Sequence, residues 1–340
     1  AYIGGTTVMK NNFNREVLNN FDASYGIPFS AEEAEVYARQ GIRFGAWESV
    51  IRAIDSMSVT QKQEDRWQYW LARASEQRTD RQSKQAAQEI FKRLAMSGDD
   101  YHNLLAKDHL GQRYNEALAR EQPSDSDNQK LNQDIHCRRA FSLRNVNAPA
   151  AYTNREWNWA VRQAYLKHDD GLLLAAAKRA TDLGWYDRAI YAADRTSQKH
   201  NYAYRYATPH QTTVVNHSRN AGVDPAWAYG LMRQESRFVT AARSHVGAGG
   251  LMQIMPDTAK HVARQMGETY NPAALSDPNT NIRYGTYYLS MIQGQLSNNP
   301  VLATAGYNAG PNRAKRWQPD YQALAADQYT ESIPLSETRD

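Results

Sequence analysis

Apolar residues recur at helical spacing along most of this chain, and this periodicity limits its possible folds more than any other feature. From about residue 30 to residue 200 they are mainly Ala, Leu, Trp and Tyr, interrupted by short polar or glycine-containing turns. The alternation of apolar and polar residues that marks half-buried strands is nearly absent. The pattern therefore predicts an all-α fold in which amphipathic helical hairpins stack as an α-solenoid, or superhelix.

Capping residues predict where some of these helices begin and end. Ser30 followed by Glu33 forms a capping box before AEEAEVYARQ, and Gly41 is the expected stop. Similar helices are predicted in AWESVIRAIDSM, QEDRWQYWLARASE and QAAQEIFKRLAM. The segment EQPSDSDNQK, residues 121–130, is the most loop-like part of the chain, and we expect it to interrupt the array.

The chain is long enough for two domains, because it has 340 residues and a domain usually contains roughly 100–200. Its character changes around residues 205–222, where polar residues become frequent, and the sequence beyond is richer in Gly, Pro and Asn. We therefore predict a superhelical region over residues 1–205 and a second domain over residues 206–340.

Composition excludes several classes of protein. Lys and Arg number 40 against 36 Asp and Glu, and this mild excess gives no reason to expect a nucleic-acid partner. The lone Cys137 excludes an internal disulfide and a multi-cysteine metal site. The nine His residues lack metal-ligand spacing. We therefore predict no metal and no cofactor.

Compartment is left open by the residues themselves. No apolar run approaches the length of a transmembrane helix, and the first ten residues lack the apolar core of a signal peptide. The chain is expected to be either cytosolic or a processed or trimmed form of a longer one.

A carboxylate interrupts an apolar helical stripe in the segment DPAWAYGLMRQES. Asp224 is a plausible N-cap, with Pro225 at the first helical position. Helical spacing places Glu235 on the same face as Leu231 and Trp227. Burial and the negative end of the helix dipole both favour a protonated carboxyl there, which makes Glu235 a candidate general acid. A surface ion pair with a neighbouring arginine is the simpler alternative.

Glycines punctuate the segment that follows. GAGG, residues 247–250, lacks the lysine and the preceding strand of a phosphate-binding loop, so close approach of the backbone to a sugar or to another helix is the better interpretation. The next helix should begin behind Asp277 and pack closely at its interior Gly285. A further helix should begin at Pro300 and end at Gly310 as a left-handed cap.

Four motifs stand in order in this region: ES at residues 235–236, GLMQIMP at 250–256, YNAGP at 307–311 and ESIPLSETR at 331–339. In order and spacing they resemble the motifs of the soluble lytic murein transglycosylases of Gram-negative bacteria. The helical region before residue 205 is more loosely similar to the superhelix of that family. The resemblance implies a lysozyme-like catalytic domain attached to an α-superhelix that helps to hold glycan strands.

The resemblance also implies roles for single residues. Glu235 matches the catalytic acid and base of the family. The residues that match its substrate-binding cleft are Ser244, Met252, Gln253, Met255, Tyr307, Asn308 and Glu331. Five of these have a structural alternative: the methionines as core, Gln253 as a partner of a helix end, Tyr307 as packing, and Glu331 as an ion-pair partner.

The family cleaves the β-1,4 bond between N-acetylmuramic acid and N-acetylglucosamine without water and leaves a 1,6-anhydromuramyl end. A standard glycosidase needs two carboxylates, yet no second acidic residue lies near Glu235 in the sequence. One group that first donates and then accepts a proton fits this pattern. The alternatives are a true muramidase that uses water, and a glycan-binding or partner-binding helical scaffold with an inactive lysozyme-like domain.

The resemblance further implies partners and a location. Glycan strands and muropeptides of peptidoglycan are the expected substrates, and cell-wall synthesis proteins are conceivable partners. The implied location is the periplasm, with association to the outer membrane as an alternative.

Overall fold

A computed structural model describes residues 13–112, 119–319 and 323–340, and throughout these ranges the chain is α-helical. No strand occurs in these ranges, where the β-type contacts are isolated bridges such as the one between Gly249 and Ile254. The chain divides into two compact units, one formed by residues 1–115 and 295–340 and the other by residues 116–294. No helix in the described ranges is long and apolar enough to cross a membrane.

The first unit combines an N-terminal set of helices with the last helices of the chain. Its aromatic core includes Phe21 and Tyr37, whose rings stack with centroids 5.0 Å apart, and the fully buried Trp67 and Trp70. The helices are α1 (Arg15–Ala23), α2 (Ala31–Phe44), α3 (Trp47–Asp55), α4 (Val59–Lys62), α5 (Asp65–Ser75), α6 (Arg81–Ser97) and α7 (Tyr101–His109), then α18 (Pro300–Ala309), α19 (Pro311–Arg316), α20 (Ala326–Glu331) and α21 (Ser336–Arg339).

The second unit has its own core, in which Trp157 and Trp185 pack with ring centroids 5.1 Å apart. Its helices are α8 (Asp125–Gln133), α9 (Ile135–Asn145), α10 (Ala150–Leu166), α11 (Asp170–Asp182), α12 (Tyr186–Ala193), α13 (Tyr202–Arg205), α14 (Gln211–Ala221), α15 (Pro225–Ser236), α16 (Pro256–Gln265) and α17 (Pro278–Gln295), with a 3₁₀ turn at Pro272–Ser276.

Capping predicted some boundaries correctly and others wrongly. The capping box of Ser30 and Glu33 is present, but α2 continues past Gly41 to Phe44, and Gly45 adopts the left-handed cap with φ 62°. Gly41 instead provides clearance, because a Cβ there would lie 2.8 Å from Cγ2 of Val50. The glycine serves helix packing rather than helix termination.

Two further predictions about local structure need correction. The segment 121–130 is not a simple interruption, because it contains the start of α8, which Ser124 caps. Leu131 of this helix is buried in the core of the second unit. Gly310 follows α18 as predicted, but its φ of 91° and ψ of 141° lie outside the left-handed helical region. The first error arises because a polar segment can be a capped helix as well as a loop, and the second because the residue before a proline, here Pro311, is pushed to an extended ψ.

Candidate functional site

Helix α15 presents Glu235 at its C-terminal end. Asp224 caps the helix by accepting a hydrogen bond from the Ala226 N–H, and Pro225 occupies its first turn, as predicted. Met232 is fully buried and Leu231 nearly so, whereas Glu235 is half-buried. The helix therefore holds this carboxylate at the edge of an apolar face, next to the negative end of its own dipole.

The arginine before Glu235 is committed elsewhere. Nη2 of Arg233 donates to both carboxylate oxygens of Asp194, at 2.7 and 3.0 Å, and Nε donates to the Arg205 carbonyl at 3.1 Å. These contacts orient the guanidinium toward α12 and α13. Of the two arginines that flank Glu235 in the RQESRF segment, Arg233 is thus paired with Asp194, and the ion-pair interpretation is not tested for Arg237.

The loop that carries the GLMQIMP motif is tied directly to α15. Ser236 donates its hydroxyl to the Leu251 carbonyl at 2.7 Å, so two motifs that are separated in the sequence meet in the second unit. Within the loop, Gly249 and Ile254 exchange two backbone hydrogen bonds of 3.1 Å. Ser244 closes a preceding turn by accepting from the Ala248 N–H at 2.9 Å. The loop is thus a closed, hydrogen-bonded structure.

Gln253 has its side-chain amide fixed by the loop. Its Nε2 donates to the carbonyl oxygens of Gly250, at 2.7 Å, and Ala242, at 3.1 Å. Two carbonyl acceptors define which end of the amide is the NH₂ group, since only nitrogen can donate to both. The backbone of Gln253 has φ 45°, a conformation that costs about 1–3 kcal/mol for a residue other than glycine. The surrounding bonds hold it there.

Asn281 of α17 holds the same loop from beneath and was not predicted from the sequence. It is fully buried, accepts from the Met252 N–H at 2.8 Å and donates to the Gly249 and Leu275 carbonyls at 2.9 and 3.0 Å. These bonds satisfy backbone groups that would otherwise be buried without partners. The one available sequence signal was an amide on the apolar face of a predicted helix.

Two glycines allow the loop to approach α17. Gly250 has φ 79°, and a Cβ there would lie 2.1 Å from Nδ2 of Asn281 and 2.4 Å from the Leu275 carbonyl oxygen. Gly285 faces Met252, because a Cβ there would lie 2.3 Å from the Met252 sulfur. The predicted close packing at Gly285 is therefore present. Its partner is Met252, which is completely buried, whereas Met255 is 39% exposed.

The first unit holds the remaining predicted site residues. Asn299 caps α18 by accepting from the N–H groups of Val301 and Leu302, and the helix carries Tyr307 and Asn308 in its last turn. Tyr307 is half-buried and Asn308 exposed. Thr338 donates its hydroxyl to Oδ1 of Asn308 at 2.5 Å. The YNAGP and ESIPLSETR motifs therefore meet within this unit.

Glu331 lies deep in the first unit, with 3% of its surface exposed. Its Oε1 accepts from Nε of Arg39 at 3.0 Å, and Oε2 accepts from the Trp70 indole at 3.1 Å. Nε of Arg66 and Nε2 of His102 lie 3.7 and 3.6 Å from Oε2. A ligand could reach this carboxylate only if these partners moved, so direct ligand binding by Glu331 stays a prediction. Neither Arg39 nor Trp70 was singled out from the sequence.

Metal ligands do not gather in the described ranges, where no group of three or more His, Cys, Asp and Glu side chains is arranged to hold an ion. The side chains available around α15 and its loop are a carboxylic acid, an amide, hydroxyls and a thioether. This set can transfer a proton and form hydrogen bonds with a polar ligand.

The fold and the motifs are similar to those of one class of protein. Residues 213–330 match the family described as "Transglycosylase SLT domain", and the chain is similar in sequence to soluble lytic murein transglycosylases. The soluble lytic murein transglycosylase of Salmonella typhimurium is 30% identical over 281 residues, which are 82% of this chain and 42% of the relative. The Escherichia coli protein of the same name gives the same values.

Solved structures that are similar to this chain belong to the same class of protein. An inactive glutamate-to-glutamine variant of the lytic transglycosylase Slt from Pseudomonas aeruginosa superposes with a TM-score of 0.83 at 30% identity, over 98% of this chain and 53% of that one. The 70-kDa soluble lytic transglycosylase of Escherichia coli gives 0.79 at 26% identity, over 97% and 52%. The predicted fold class, an α-superhelix followed by a lysozyme-like domain, is confirmed. The chain spans about half the length of these relatives.

Proposed function

We propose that this chain is a peptidoglycan lytic transglycosylase that cleaves the bond between N-acetylmuramic acid and N-acetylglucosamine without water. The observation that carries the proposal is the hydrogen bond from Ser236 to the Leu251 carbonyl. It joins the ES motif, with its half-buried Glu235, to the loop that presents Gln253. The names of the homologous proteins support the same activity.

In the proposed mechanism Glu235 acts twice. The protonated carboxyl gives its proton to the glycosidic oxygen as the bond from that oxygen to C1 of the muramyl residue breaks. The 2-acetamido group of the substrate stabilises C1, as in substrate-assisted glycosidases. The carboxylate of Glu235 then takes the proton of the muramyl 6-hydroxyl, whose oxygen forms a bond to C1. The product is a 1,6-anhydro ring, and Glu235 ends protonated as it began.

The other predicted residues receive supporting roles in this proposal. Ser244, Gln253, Met255, Tyr307 and Asn308 are proposed to contribute to substrate binding. Met252 and Glu331 are buried, so any part they have in binding would be indirect, by supporting the segments on which exposed groups lie. Residues 206–340 remain the proposed catalytic domain.

Glycan strands of peptidoglycan are the proposed substrate, in keeping with the word murein in the names of the relatives. The periplasm is the proposed location. Association with the outer membrane and partners in cell-wall synthesis are retained as finer proposals.

The test is mass spectrometry of muropeptides released from purified peptidoglycan by the wild type and by Glu235→Gln. We expect the wild type to release products one water lighter than hydrolytic muropeptides. Glu235→Gln should release none, because glutamine keeps the size of the side chain but cannot deliver a proton. Glu268→Gln is the matched control, because Glu268 is an exposed partner of Arg283 and lies outside the proposed machinery.

Each other outcome changes the proposal. If the wild type releases hydrolytic products and Glu235→Gln releases none, Glu235 is still the catalytic acid, but water attacks C1, as in a muramidase. Release by Glu235→Gln at the wild-type rate would remove Glu235 from the mechanism. Folded protein that binds glycan and releases nothing would establish the scaffold alternative.

A further inference from the structure

The last segment of the chain is fixed to the N-terminal helices of the first unit by two buried carboxylates and the arginines that face them. We name this set the charged anchor: Glu331 and Asp327 of α20, with Arg39 of α2 and Arg66 and Arg73 of α5. We infer that the charged anchor positions the Tyr307–Asn308 end of α18, so that helices near the start of the chain hold two of the proposed substrate-binding residues in place. The catalytic part of this inference rests on the proposed function.

Glu331 forms one half of the charged anchor. Its two oxygens are divided between α2 and α5, because Arg39 bonds Oε1 while Trp70 and Arg66 face Oε2. Arg39 is itself only 8% exposed, and it also bonds Glu35 one turn earlier at 2.9 Å. A buried charge of this kind has no alternative partner in solvent. It therefore fixes the end of α20 in one place.

Asp327 forms the other half, one turn before Glu331. Its Oδ2 accepts from the Tyr69 hydroxyl at 2.8 Å and from Nε of Arg73 at 2.9 Å. The Gln328 amide donates to the Ile42 carbonyl at 3.0 Å, near the end of α2. Contacts at both ends of this short helix prevent it from rotating or sliding along α2 and α5.

The segment that follows the anchored helix α20 contacts the YNAGP motif. Ser332 and Ile333, which follow Glu331, are buried, and Nη1 of Arg339 donates to the Ile333 carbonyl at 3.2 Å. The segment then reaches Thr338, whose hydroxyl bonds Asn308. A continuous series of contacts thus runs from Arg39 through Glu331 and Thr338 to Asn308, all within one compact unit. Displacement of α20 would shift the end of α18.

The charges are essential to this role, since an apolar contact could be replaced by another of similar shape whereas a buried carboxylate deprived of its cations cannot. Glu331 is accordingly a positioning residue. Because catalysis is sensitive to displacements of about 1 Å, its loss should lower kcat more than it raises KM.

The test compares Glu331→Gln with Glu48→Gln, whose side chain forms an exposed pair with Arg78 in the same unit. Hydrogen exchange of the amides of residues 305–309 and 332–339 is measured in both variants, together with kcat and KM on soluble glycan strands. In Glu331→Gln we expect exchange in both segments to rise by roughly tenfold or more and kcat to fall by roughly tenfold to a hundredfold. Glu48→Gln should match the wild type.

Thr338→Val tests the far end of the series without disturbing buried charge, so it covers the case in which Glu331→Gln fails to fold. It should lower kcat and raise exchange in residues 305–309 while exchange in residues 326–333 stays unchanged. Thr181→Val is its control, because that hydroxyl bonds a carbonyl of its own helix.

Unchanged exchange in residues 305–309 in both Glu331→Gln and Thr338→Val would overturn the inference. So would a wild-type kcat in both variants despite altered exchange. A wild type that does not cleave glycan would instead refute the proposed function, and the exchange measurements would still decide whether the charged anchor positions α18.

Discussion

Two segments that carry predicted site residues are held in place by different physics. The loop over residues 242–254 is fixed by neutral hydrogen bonds from Asn281 and by the clearance that two glycines provide. Residues 323–340 are fixed by the charged anchor. Shape and neutral hydrogen bonds respond little to pH or salt, whereas ionised groups respond to pH. The two segments should therefore fail under different conditions.

The largest loss of stability is expected from Gly250→Ala, which tests whether the loop over residues 242–254 depends on close steric fit. The new methyl group would meet Nδ2 of Asn281 and the Leu275 carbonyl, at a residue whose φ is 79°. Strain and overpacking together should lower the local free energy of unfolding by about 3–5 kcal/mol. Hydrogen exchange of the loop amides measures this local free energy of unfolding. Gly247→Ala has a comparable φ of 95° but open space, so it should cost about 1–2 kcal/mol. Equal losses would refute the role of clearance.

Asn281→Ala should come next, because it leaves the Met252 N–H and two carbonyl groups without their partner. We expect a loss of about 2–4 kcal/mol in loop stability. If the support is neutral, the loss should be the same between about pH 4 and pH 8 and at low and high salt, as measured by exchange or denaturant unfolding. A loss that changes strongly with pH would break the distinction between the two segments.

Glu331→Gln should show the opposite behaviour. Burial alone raises the pKa of Glu331, but His102 and the charges of Arg39 and Arg66 outweigh burial and lower the pKa from 4.5 to about 2. Because the folded-state pKa is the lower one, this stabilisation is present above pH 4.5 and is lost as the pH falls toward 2. The shift corresponds to about 3 kcal/mol at most.

We therefore expect Glu331→Gln to lower the free energy of unfolding by about 2–3 kcal/mol near neutral pH and by much less near pH 2. Acid unfolding followed by circular dichroism measures the difference. A gap between the two proteins that stays constant down to pH 2 would show that the carboxylate is not held by charge.

The smallest effect separates two helical glycines. Gly285→Ala should cost about 1–3 kcal/mol, because Met252 must move to admit the methyl group. Gly230→Ala, with no atom near the new methyl group, should be neutral or add up to about 1 kcal/mol of stability. Thermal melting compares the two variants. A Gly285→Ala protein as stable as Gly230→Ala would show that the loop adapts to α17 without tight clearance.

Sequence reasoning performed well where the determining contacts were local. The start of α15 at Asp224 and Pro225 follows from capping chemistry, and the close packing at Gly285 follows from the cost of an interior glycine. The confirmed helical fold class follows from periodicity. The cap and the periodicity depend on residues within a few helical turns of one another, whereas the interior glycine indicated close packing without identifying its distant partner, Met252.

Long-range contacts could not be predicted in the same way. Asn281 was not recognised because two of its three partners lie 29 and 32 positions away. Glu331 was assigned from its motif, which reports that it matters but not that it is buried. The segment 121–130 was expected to be a loop because its residues are polar, although Leu131 supplies the apolar contact that packs α8.

The pair formed by Arg39 and Glu331 also bears on how the protein is made, because the two residues are 292 positions apart. A contact between residues so far apart in the sequence is costly to form before the intervening chain has folded, so we expect it to form late. During synthesis Arg39 emerges long before Glu331. Until Glu331 is made, the guanidinium of Arg39 on α2 lacks this buried carboxylate partner. The first unit can therefore reach its final state only after translation has passed residue 331, however early its N-terminal helices have formed.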